Sequence, residues 1–70
     1  MASEFKAVVK QDGDWWIGWV EEIPGVNSQG RDRAELMENL QSALTEMLDF
    51  NRDSARAAAG DDFEEVTIST

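Results

Sequence analysis

The hydrophobic period of this chain changes in the middle of its apolar residues. Up to Val20, apolar residues recur at every second position; from Leu36 onward they recur every three or four. Period two belongs to strands and period 3.6 to helices, so the chain must join a sheet to a helix. The joint is "EEIPGVNSQGRDRAEL", residues 21–36, which holds the only proline and two of the five glycines. Pro24 cannot donate to a ladder, and Pro-Gly marks a turn. Residues 26–29 are long enough for one short strand, and Gly30 then releases the chain. Asp32 is a good N-cap, and Glu35, three residues on, completes a capping box.

On the strand side, residues 4–11 alternate, with Phe5, Ala7 and Val9 opposite Lys6 and Lys10. Asp12 and Gly13 signal a hairpin. "WWIGWV", residues 15–20, is rich in aromatic and β-branched residues and apolar in both phases. A two-residue loop at Asp12 and Gly13 predicts Val9 facing Trp16, Ala7 facing Gly18 and Phe5 facing Val20. That register puts small residues where a helix can approach and leaves Val8, Trp15, Ile17 and Trp19 on the opposite face. A slip of one residue would exchange the faces. On the helix side, Leu36, Met37, Leu40, Ala43, Leu44, Met47 and Leu48 form a stripe that suits a sheet. The helix is expected to end near Arg52 or Ala55, with Gly60 as the farthest stop. Val66 and Ile68 alternate with polar residues and read as a last strand, parallel to and beside the first by the right-handed crossover rule. The expected fold is α+β, in the order β-β-β-α-β: a four-stranded mixed sheet with one helix on one face, in a single domain over residues 1–70.

Size and charge narrow the partners. A chain of 70 residues buries only about 60% of its unfolded surface, so its stability is marginal without a staple. It has no cysteine and no histidine, which removes disulfides and the usual structural zinc site. Oligomerisation is the staple that remains, and a helix on one face leaves either Trp15, Ile17 and Trp19 or Trp16 and Val20 to form the interface. Fifteen acids against six bases give a net charge of −9. Phosphate binding needs clustered Lys and Arg, so nucleic-acid binding is not expected, whereas a basic partner is favoured. No stretch reads as a membrane span or a signal-peptide core, and a cytoplasmic location is the expectation.

"FKAVV", the turn acid and glycine, "WIGWVEEIPGV", "SQG" and the capped Ala/Leu/Glu-rich helix together resemble the N-terminal domain of HicB-type antitoxins, a family with a partial RNase H-like fold. The resemblance covers Phe5 to about Leu48. The chain departs from the family at Val26, where cysteine is common, at Glu21, where proline is common, and at Asp32, where threonine usually caps the helix. The resemblance implies an antitoxin-like module that occludes a small basic HicA-type toxin, an enzyme that cleaves messenger RNA. The alternative is a homo-oligomeric scaffold or small-ligand binder without a toxin partner.

Catalysis is not expected. A metal-dependent nuclease of the RNase H kind needs converging carboxylates, one of them in the middle of the first strand, where this chain has Ala7, Val8 and Val9. The acid pairs Asp12/Asp14, Glu21/Glu22, Asp61/Asp62 and Glu64/Glu65 lack a histidine, cysteine or basic partner placed to tune them. No cofactor or metal is expected. The residues expected to meet a basic partner are Glu21, Glu22 and Glu35.

Overall fold

The computed structural model describes residues 4–69; residues 1–3 of the amino-terminal stretch and Thr70 of the expected domain lie outside them. Three strands, β1 (Ala7–Asp12), β2 (Trp15–Val20) and β3 (Asn27–Gly30), form an antiparallel sheet in the order β1-β2-β3. One helix, α1 (Arg33–Ala59), follows. The fold class is therefore α+β.

The hairpin sorts its faces as expected but pairs two residues further along. Val9 lies opposite Gly18, Ala7 opposite Val20 and Asp12 opposite Trp15. The loop is Gly13 and Asp14, not Asp12 and Gly13. Gly13 has φ +64° and no non-glycine residue among the described ones has a positive φ, which is the pattern of a type II′ turn. The expected loop would have asked Asp12 for a positive φ as well. A shift of two preserves the side-chain phase, so Trp16, Gly18 and Val20 face the helix while Trp15, Ile17 and Trp19 face away.

The second joint is a β-turn. The Val26 amide donates to the Ile23 carbonyl at 3.4 Å, and Gly25 has φ +90°. Proline followed by a positive-φ glycine is the type II signature. The chain reverses there, and the Val20 amide donates to the Val26 carbonyl at 2.9 Å as β3 begins to pair with β2. Gly30 ends β3 opposite Trp16. It does more than release the chain: a Cβ on Gly30 would lie 2.5 Å from the Leu36 backbone nitrogen, so the first helical turn rests on bare backbone. Asp32 caps the helix, its Oδ1 accepting from the Glu35 amide at 2.8 Å. Glu35 reaches back to accept from the Arg31 amide at 2.7 Å, one residue before the cap itself.

The core is small. Val20, Val26, Leu36 and Leu40 are its buried apolar residues. Ala43, Leu44, Met47 and Leu48 are half-buried, whereas Met37 of the expected stripe is exposed. A Cβ on Gly18 would come within 3.1 Å of Leu40 Cδ1, so the helix does lie close there, although Gly18's partner is Val9 rather than Ala7. Every helical residue from Asp49 to Ala59 is exposed.

The expected fourth strand does not form, since residues 61–69 carry no strand. The helix passes Arg52 and Ala55 and stops at Gly60, where φ is +86° and the amide donates to the Arg56 carbonyl at 3.2 Å. Those added turns carry the last residues away from the sheet. They fold back against the helix instead, where Arg56 Nε donates to Glu65 Oε2 at 2.8 Å and Phe63 lies in a shallow cleft beside Arg52, Ala55 and Ala59.

Candidate functional site

Two surfaces stand out, and both follow from one helix covering part of one face of a three-stranded sheet. The first is the helix-free face. β2 is the central strand, so its outward side chains Trp15, Ile17 and Trp19 line the middle of that face. Val8 flanks Trp19 from β1, and Asn27 and Gln29 flank Trp19 and Ile17 from β3. Trp15 is 44% exposed, Trp19 42% and Val8 37%, while Ile17 is half-buried. Lys10 and Asp12 complete the β1 side, opposite Ile17 and Trp15. This is a broad aromatic surface with a thin polar rim, the composition of an interface centre rather than of ordinary surface. The residues expected at a subunit interface thus share one exposed face.

The second surface is a groove of about 380 Å³ between β1 and the helix. The helix packs on β3 and β2 but not on β1, so the inner side of β1 stays uncovered. Ala7, Val20, Leu40 and Leu44 line the groove, and Phe5 and Met37 add to its apolar walls. The sequence reading missed this groove. Its residues were visible as apolar positions, but only the lateral placement of the helix shows that they stay open.

The three candidate acids are not brought together. Glu21 and Glu22 leave β2 at its far end, while Glu35 sits on the first helical turn beside Gly30. Gly30 pairs with Trp16 at the start of β2, so the length of that strand, roughly 13–16 Å, separates the two groups. Two of these acids also have work within the fold. Glu22 accepts from the Lys6 amide through both oxygens, at 3.0 and 3.2 Å, closing the start of β1 against the turn, and Glu35 holds the helix cap.

The other acid pairs fall at the margins. Asp12 and Asp14 flank Gly13 at the hairpin tip. Asp61, Asp62, Glu64 and Glu65 follow the helix. Glu65 is the acid with a clear electrostatic partner: the hydrogen bond from Arg56 and that residue's positive charge hold its carboxyl below the usual range. Among the described residues no three His, Cys, Asp or Glu side chains converge as a metal ion would require, and no helix is long and apolar enough to cross a membrane.

No family model matches the chain, and no curated protein or solved structure is significantly similar to it.

Proposed function

We propose that this protein works by binding another protein and carries out no chemistry of its own. The observation that carries this reading is the open face of Val8, Trp15, Ile17 and Trp19. Two half-exposed tryptophans on one face offer a large apolar area to bury, and such residues anchor many protein interfaces. In this reading the protein is an antitoxin-like module of the HicB kind, and its partner is a small basic HicA-type toxin that cleaves messenger RNA. Occlusion is the mechanism: acidic side chains pair with the lysines and arginines that would hold RNA. The net charge of −9 and the order of three strands and a capped helix support it. Charge speeds encounter and selects the partner, while apolar anchors supply most of the affinity. Glu21 and Glu22 are the first acids to test, and Glu35 belongs to a separate patch. The fourth strand is part of this reading, since Val66 and Ile68 keep strand alternation while β1 keeps an open edge.

A second reading, a homo-oligomeric scaffold or small-ligand binder without a toxin, is favoured by the shape of the chain. Its radius of gyration is 15.1 Å, against about 11 Å for a compact domain of this length. Self-association through the tryptophan face would make up for the missing core. Co-expression with a small basic protein, where one is encoded beside its gene, separates the two readings. Rescue of growth and co-purification are expected. The absence of such a neighbour, or failure on both counts, overturns the antitoxin and leaves the scaffold.

A further inference from the structure

Among the described residues, nothing covers an apolar, strand-like segment near the end of the chain and nothing fills an apolar groove beside the start of β1. Val66 is 73% exposed and Ile68 85%. Two positions apart, they present the same face when extended. Phe5, Lys6 and Ala7 form one wall of the groove at the start of β1, and β1 is an edge strand whose outer side pairs with no other strand among the described residues. At the other edge, Asn39 Nδ2 reaches from the helix to the Gln29 carbonyl at 2.8 Å. An open edge beside an apolar groove is a template for one more strand.

The segment does not reach the groove of its own chain. Leu44 lines the groove beside Phe5 and Ala7, and Arg56 lies twelve residues further along the helix, about 18 Å at 1.5 Å per residue. Glu65 is bonded to Arg56. From Glu65 to Ile68 the extended chain covers about 10 Å, and in this structure Val66 and Ile68 stay exposed and line no part of that groove.

We propose that residues 64–69 of one copy add as a strand to the open edge of β1 in a second copy, with Val66 and Ile68 filling the groove between β1 and the helix, and that the exchange is reciprocal. The chain's two lysines, Lys6 and Lys10, both lie on or just before β1 and can meet Glu64 and Glu65, while Glu4, Asp12 and the groove-lining Glu38 set the limit of that attraction. Area favours the exchange. The chain exposes 5781 Å², where a compact monomer of 7.8 kDa exposes about 4,400 Å². The excess, roughly 1,400 Å² per copy, exceeds the ~800 Å² that each partner contributes to a standard interface. A two-fold exchange closes on itself, so it gives a dimer and not a fibre. The inference rests on the fourth-strand reading but not on the toxin, and it uses residues distinct from the tryptophan face.

The native chain has no cysteine, so paired cysteines test the contact directly. Ala7→Cys or Val9→Cys protein is mixed with Val66→Cys or Ile68→Cys protein under mild oxidation. At least one mixture is expected to give a disulfide-linked species of twice the chain mass as its main product. The same link is expected in a Trp19→Glu background, and none is expected with Thr45→Cys on the outer side of the helix. If no mixture links but a single chain carrying both cysteines closes on itself, the strand forms within one copy, and the exchange is overturned while the fourth strand survives. If neither links, both are overturned. In a Trp19→Glu background, which removes the other contact, a Val66→Asp/Ile68→Asp chain, whose sheet and helix need neither residue, is expected to lose the dimer by light scattering at concentrations where the Trp19→Glu protein is dimeric; an unchanged mass counts against the exchange.

Discussion

At the scale of single residues, two positions show how little room the fold leaves. Gly30 has no space for a side chain because the Leu36 backbone nitrogen would lie 2.5 Å from its Cβ. A backbone neighbour cannot swing aside, so Gly30→Ala must push the helix start off β3. The expected loss is roughly 1–3 kcal/mol, read as a lower urea midpoint, a large part of the stability of a domain this small. Asp32 acts differently. Its carboxylate satisfies the Glu35 amide, one of the helix's orphan donors. Asp32→Ala is expected to lower stability by about 1 kcal/mol with the fold intact, a change visible in the thermal melt. The glycine sets where the helix lies and the aspartate sets where it begins. The cap could be read from three residues of sequence, but the steric role of Gly30 could not, because it depends on which part of the helix lands on β3.

At the scale of elements, α1 is the unusual part. Its 27 residues span about 40 Å, while the strands it covers have four and six residues. Its first half is held by Leu36 and Leu40, and its second half stands in solvent. Arg56 suits the negative end of the helix dipole and also ties down residues 63–65. The Glu65 carboxyl is held below its ordinary value by Arg56, so the tie is present in full above the ordinary carboxylate range and weakens as pH falls through the lowered value. Acidification is therefore expected to free this segment before the sheet unfolds. The Phe63 ring and Glu65 side-chain NMR shifts, followed beside the amide protection of β2 across an acid titration, measure this; a parallel change in both would show that the ion pair does not hold the segment. The tie is solvent-exposed, so salt is expected to loosen it too.

At the scale of the whole molecule, the chain has a small core and several open apolar surfaces, the tryptophan face among them. Trp19→Glu places a charge at the centre of the face and is expected to weaken self-association about tenfold or more, with the circular dichroism of the monomer unchanged. Concentration-dependent light scattering reads the first effect, and an unaltered association constant would remove Trp19 from the interface. The tryptophan face and the β1 groove point in different directions, so a copy that uses both has two independent contacts and can build beyond a dimer.

What the sequence determined by itself was local. The order of the first four elements, the sorting of Trp16, Gly18 and Val20 from Trp15, Ile17 and Trp19, the Pro24 and Gly25 turn and the Asp32 cap all rest on alternation, turn chemistry and hydrogen bonds within a few residues. The hairpin register was legible in phase but not in position, because either Asp12 or Asp14 can accompany Gly13 in the loop, and the demand for a positive φ decides between them. Only the tertiary structure decided the rest: that the helix lies over β2 and β3 and leaves β1 bare, that it runs on to Gly60, and that Glu35 stands apart from Glu21 and Glu22. These depend on how well surfaces distant in sequence fill space against one another. Leu40 over Gly18 and Leu36 over Gly30 fix the helix axis, and the position of that axis places the groove and leaves the final residues outside it.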